Sequence, residues 1–111
     1  MWLTTMNSGL SSQTTTAFLA VLFQHPKVKE VILFGSRAKG TFKPGSDIDL
    51  ALKGDLNLQD LTLLLNHIDD LNLPYTFDLI IYNRIKEPAL REHIQRGGIP
   101  LTHTDATDGR L

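Results

Sequence analysis

The sequence predicts an α/β protein with a central sheet of about three strands flanked by about four helices. Three observations carry this expectation. Short apolar or alternating runs recur at residues 28–34, 47–52 and 76–82, each bounded by Gly, Pro, Ser or Asn. Around and between them lie stretches with apolar residues at helical spacing. The runs come one at a time rather than in hairpins, so helices and strands alternate along the chain.

The N-terminal residues 1–10 are polar and unpatterned and read as a loose terminus. Ser11 or Ser12 can cap a first helix whose buried stripe is Phe18, Val21 and Leu22, and Pro26 stops it. Residues 28–34 form the first strand, which runs into Gly35-Ser36 and a short helical turn. A loop containing Pro44-Gly45 returns the chain to the second strand. In that strand Asp47, Asp49 and Ala51 share one face, and Ile48, Leu50 and Leu52 the other. Asn57 caps a helix with Leu58, Leu61, Leu65 and Ile68 as its buried stripe, widened by Leu64 and Leu71. After the Asn72-Leu73-Pro74 turn, Phe77, Leu79 and Ile81 alternate with Asp78, Ile80 and Tyr82 in a third strand. Pro88 suits the first turn of a last helix carrying Leu90 and Ile94, which Gly97-Gly98 terminates. Ile99-Pro100-Leu101 packs briefly, and residues 102–111 read as a flexible tail. Residues 11–101 thus make one domain.

Composition sets bounds. With 111 residues, 41% hydrophobic and 21% charged, the chain is of single-domain size and of ordinary globular character. A net charge of −1 supplies no general attraction to nucleic acid or to a membrane surface. There is no cysteine, hence no disulfide or thiolate metal site, which is compatible with a cytoplasmic protein. The start lacks a basic region followed by an apolar core, and no run approaches the ~18 apolar residues of a spanning helix.

The chemistry concentrates in one stretch. Gly35 lets the backbone turn tightly out of a strand and approach a ligand closely. A helix beginning at Ser36 leaves unpaired N–H groups, for which phosphate is a natural occupant. Arg37, Lys39 and Lys43 add positive charge, and no acid occurs between Val31 and Ser46. Arg37 and Lys39 are therefore candidate phosphate contacts, with solvated helix residues as the plainer reading. Asp47 and Asp49 on one strand face would repel each other unless a proton or a hard divalent cation lay between them. Mg²⁺ suits such a pair, because it takes one or two carboxylates and completes its shell with water and substrate phosphates. Asp78 is a lone charge inside an apolar run, and it joins the pair if its strand neighbours theirs. Each acid alone has a bland reading, as a strand-edge carboxylate or the partner of a buried base.

Gly35-Ser36, ten intervening residues, Asp47-x-Asp49 and a later strand bearing Asp78 together resemble the DNA polymerase beta-type nucleotidyltransferase superfamily. Within it the short chain is most similar to the minimal nucleotidyltransferases, the MNT proteins. The resemblance implies a small nucleotidyltransferase fold with a mixed sheet. It also implies transfer of a nucleoside monophosphate, AMP foremost, from Mg-NTP to a hydroxyl. Under it Gly35 and Ser36 hold the β and γ phosphates, with Arg37, Lys39 and Ser46 also at the nucleotide. Asp47 and Asp49 bind Mg²⁺, and Asp78 completes a second metal site or takes the hydroxyl proton. About thirty residues follow the third strand, fewer than a separate acceptor-binding domain needs. The resemblance accordingly implies an acceptor on a partner, a HEPN-family toxin for which this chain is the antitoxin. Homo-oligomers and hetero-oligomers both stay open.

Two readings of other classes compete: a non-catalytic module that neutralises a partner by occlusion, and a small-molecule nucleotidyltransferase of the aminoglycoside type. His25, His67, His93 and His103 show no metal-ligand spacing and read as structural or solvated. The leucine-rich stretch at residues 58–71 reads as core, with partner contact as the lesser alternative.

Overall fold

The computed structural model describes residues 8–102. Along them run α1 (Ser12–Gln24), β1 (Glu30–Phe34), α2 (Ser36–Lys39), β2 (Ile48–Lys53), α3 (Leu58–Asp69), β3 (Phe77–Ile81), α4 (Pro88–Gly97) and β4 (Ile99–Leu101). A single turn of 3-10 helix, Tyr82–Arg84, links β3 to α4.

The sheet is mixed and ordered β3-β2-β1-β4. β1 is antiparallel to both β2 and β4, whereas β2 and β3 are parallel and joined by the crossover helix α3. The fourth strand was expected only as a brief packing segment. Gly98 turns the chain back along β1, where Ile32 stands opposite Pro100 and Leu101 is buried. A proline is tolerated there because β4 is an edge, with no further strand asking for its missing N–H.

Alternation along the strands divides the apolar residues between two faces. Val31, Leu33, Ile48, Leu50, Leu52, Leu79 and Ile81 enter the larger core beneath α1 and α3, where Phe18, Leu19, Leu22, Leu64 and Ile68 meet them. Ile32, Phe34, Ala51 and Tyr82 face the other way, against Ile94 and Leu90 of α4. Leu50 lies fully buried in one of the two inner strands, between Leu33 and Leu79. Leu50→Ala is expected to cost about 3 kcal/mol through lost burial and a residual cavity. A lower urea midpoint with an unchanged slope would report it.

The helix ends follow the sequence signals. Ser11 caps α1 by accepting the Thr14 N–H at 3.1 Å. Asn57 and Asp60 form a reciprocal capping box on α3, with bonds of 2.9 and 3.0 Å. Asp60 also meets His25 at 3.1 Å, tying the end of α1 to the start of α3.

Three expectations need correction. In α1, Leu19 joins Phe18 and Leu22 in the core, and Val21 is only partly buried. In α3 the buried side runs through Leu61, Leu64 and Ile68, with Leu71 packing just beyond the helix end, while Leu58 and Leu65 are 69% and 37% exposed, and Leu63 47%. So many leucines surround this helix that spacing alone leaves more than one possible stripe, and docking onto the sheet selects between them. At the N-terminus, Ser8 is buried rather than loose. Residues 1–7, and all of the tail from 103 onward including His103, lie outside the described residues.

Candidate active site

β2 carries the site, and its two neighbours decide what meets there. Because Ile48, Leu50 and Leu52 fill the larger core, Asp49 and Ala51 project from the opposite face. The register puts Phe34 of β1 on one side of Asp49 and Asp78 of β3 on the other. Adjacent backbones are about 4.8 Å apart, so the two carboxylates share one row across the sheet. Asp47 stands one residue before β2. Its neighbour Ile48 is pinned by an N–H bond to the Thr76 carbonyl at 2.9 Å.

Asp49 is half-buried, whereas Asp47 and Asp78 are exposed. Burial foremost, then the negative charges of Asp78 and Asp47, hold the Asp49 carboxyl above its ordinary value of 3.8. The three acids therefore act in one electrostatic field. They do not enclose a point: among the described residues, no three histidine or carboxylate side chains stand close enough together to hold a metal ion as they are.

Gly35 closes the other side. Its φ of 79° and ψ of −156° belong to a region that only glycine occupies readily. A Cβ there would collide with Asp49 Oδ2 and lie 3.2 Å from Asp49 Cγ. The turn after β1 is therefore packed, backbone first, against the raised Asp49 carboxyl. Ser36 follows at the start of α2, and the Gly35 carbonyl accepts the N–H groups of Ala38 and Lys39, each at 3.1 Å. Lys39 is exposed at the far end of α2.

Two candidate nucleotide contacts are engaged elsewhere. Arg37 is 3% exposed. Its Nε and Nη2 donate to the Ser46 carbonyl at 3.2 and 3.0 Å, and Nη1 to the Ser8 carbonyl at 2.8 Å. The guanidinium also lies over the rings of Phe42 and Tyr75, 5.0 and 5.2 Å from their centroids. A phosphate contact through Arg37 is thus not what this arrangement provides, because a buried cation must be satisfied internally. Ser46 Oγ accepts the Lys43 N–H at 2.8 Å and stabilises its own loop. Nothing in the polar, unpatterned N-terminal stretch marks Ser8 as a partner. Tyr75, an aromatic at the entry to β3, gives a weak signal.

The oxygen-only donors, the raised Asp49 carboxyl and a turn that a single Cβ would fill fit a hard divalent cation with a phosphate beside it. A cleft of about 490 Å³ lies elsewhere, at the α3–β3 junction beside Leu65, Asn72, Tyr75 and Phe77. Phe77 belongs to the larger core, so this cleft lies on the opposite side of the sheet from the row of acids.

The sequence profile of the family described as Polymerase beta, Nucleotidyltransferase matches residues 18–107. The chain belongs to this nucleotidyltransferase family. Solved structures agree on the fold. A chain of a toxin–antitoxin crystal structure with AMP-PNP superposes with a TM-score of 0.64 and 24% identity, covering 87% of this chain and 78% of that one. A chain of the MntA-HepT toxin–antitoxin structure gives a TM-score of 0.63 at 20% identity, covering 88% and 77%. A putative nucleotidyltransferase from Sulfolobus solfataricus gives 0.51 at 20%, covering 80% and 77%. No curated protein matches the sequence. The resemblance drawn from Gly35-Ser36 and the three acids thus leads to the family that the whole-domain comparison shows. The sheet that holds those residues is the mixed one expected of a nucleotidyltransferase.

Proposed function

We propose that this nucleotidyltransferase moves AMP from Mg-ATP to a hydroxyl on a partner protein, as the antitoxin half of a toxin–antitoxin pair. The observation that carries the chemical part is the contact between the Gly35 turn and the half-buried Asp49, with Asp78 in the same row. In the reaction the acceptor oxygen forms a bond to the α-phosphorus, the bond to the bridging oxygen breaks, and pyrophosphate leaves. Gly35 and Ser36 hold the β and γ phosphates against the turn, with the exposed Lys39 adding positive charge nearby. Asp47 and Asp49 would hold Mg²⁺, and Asp78 would complete a second metal site or accept the hydroxyl proton. When bound, the ion supplies charge neutralisation at the phosphates. Catalysis of this kind depends mainly on positioning, which the sheet register and the glycine contact provide.

The partner rests on likeness to the two toxin–antitoxin structures, one of them holding AMP-PNP, and a HEPN-type toxin is the partner meant. Among the described residues no helix is long and apolar enough to cross a membrane, in keeping with a cytoplasmic pair. A second reading, a module that occludes its partner without catalysis, is favoured by one observation. Leu58, Leu63 and Leu65 are exposed apolar side chains on α3, which packs on the side of the sheet away from the acids.

Label transfer separates the two. With ATP labelled at the α phosphate, Mg²⁺ and a host lysate, the enzyme reading predicts a labelled protein band, and none when ATP is labelled at the γ phosphate. Label on both, on neither, or only on small molecules or RNA would contradict the protein-adenylylating reading.

A further inference from the structure

Four groups surround the Arg37 guanidinium, and they come from separate parts of the chain. Two of its bonds converge on the Ser46 carbonyl and a third reaches Ser8. Phe42 lies over the guanidinium from within the same loop as Ser46, and Tyr75 comes from the entry to β3. Space around it is closed: a Cβ on Gly9 would run into the Phe42 ring and come within 3.0 Å of Arg37 Nη1. The side chain projects from α2, one turn of helix that begins at Ser36 immediately after Gly35. Thus one buried cation links the turn beside Asp49 to the peptide immediately before Asp47.

We infer that Arg37 is a positioning residue: by gripping the Ser46 carbonyl it fixes the approach of Asp47 to Asp49. The loop needs such a brace. From Thr41 to Asp47 it belongs to no helix or strand, and it contains Gly45 at a φ of 102°. Among the described residues its other hydrogen bonds are the Thr41 N–H to the Ser36 carbonyl at 3.0 Å and the Ser46–Lys43 pair at 2.9 and 2.8 Å. The latter are internal to the loop and do not anchor it to the sheet. A lysine could keep the charge but could not form the planar fork while stacking between two rings. The role assigned to Asp47 rests on the proposed function, whereas the brace itself rests on geometry.

Arg37→Lys and Arg37→Gln test this in the full chain. Amide hydrogen exchange at Thr41, Ser46 and Ile48 reports the loop directly, and both variants are expected to speed it by about tenfold or more. Mn²⁺ affinity, read by electron paramagnetic resonance, is expected to fall by about tenfold in both, as when the support of a ligand is lost. Thermal unfolding of Arg37→Lys should stay cooperative, so that a loosened loop is distinguished from an unfolded protein. Unchanged exchange at those three amides in Arg37→Lys would overturn the brace. Full Mn²⁺ affinity in both variants would overturn the positioning of Asp47. If the unaltered protein binds no Mn²⁺, the functional reading of the acids falls, and the exchange result still decides the brace on its own. A direct phosphate contact would show differently, as weaker ATP binding in Arg37→Gln restored by Arg37→Lys.

Discussion

Asp49→Asn is expected to reduce nucleotidyl transfer by about a thousandfold or more, equivalent to some 4 kcal/mol of transition-state stabilisation. Of the three acids, Asp49 alone is half-buried and touches the Gly35 turn, and the charges of Asp78 and Asp47 help to raise its carboxyl. The amide keeps the shape and removes the charge that a cation at this site requires. The same variant should fold at least as well as the unaltered chain, because burial and repulsion work against the ionised form. The pH dependence follows in sign. A carboxyl raised in the folded state binds more protons there than when unfolded, so its contribution to stability falls as pH rises through the window above 3.8. Asp49→Asn should remove that dependence. Asp60, lowered chiefly by the Asn57 N–H, contributes in the opposite direction: its stabilisation is present above 3.8 and is lost as pH falls below it. Urea titrations of both proteins from about pH 2.5 to about pH 7 would separate the two effects, the Asp49 one appearing above 3.8 and the Asp60 one below it. Unimpaired transfer by Asp49→Asn would contradict the role given to this residue.

Gly35→Ala is expected to destabilise the fold and abolish activity together. The backbone conformation alone costs about 1–3 kcal/mol for a residue with a Cβ. The new methyl group would also have to displace the Asp49 carboxylate. An exposed glycine substituted without collision would show only the first of these costs. Circular dichroism with thermal melting should show a lower midpoint, and transfer by the folded fraction should be lost as well. A folded, fully active Gly35→Ala would mean that the turn and Asp49 do not need their present contact.

Much of this arrangement is legible in the sequence because local chemistry and tertiary packing agree. Asn57 with Asp60, Pro88 and Gly97-Gly98 mark helix ends whose reasons lie within a few residues. Asp78 stands out as one charge in an apolar strand, and the parallel register places it beside Asp49. What stayed hidden depends on distant partners. The outward turn of Leu58 and Leu65 is set by how α3 meets the sheet, which no leucine spacing specifies. The fourth strand contains a proline and becomes a strand only because β1 has a free edge for it. Arg37 looked like a phosphate ligand because it sits in a basic run. Its burial depends on Ser8, Phe42, Ser46 and Tyr75, which come together only in the folded chain.

If the Gly35 turn and the row of acids form one metal–nucleotide site, paramagnetic broadening will map it residue by residue. Mn²⁺ added with AMP-PNP to isotope-labelled protein should broaden the amide signals of Gly35, Ser36, Asp49 and Asp78 first. It should leave the α3 residues Leu58 and Leu63 sharp, and Asp49→Asn should abolish the effect. Broadening that begins at the α3–β3 cleft, or that persists in Asp49→Asn, would contradict the account.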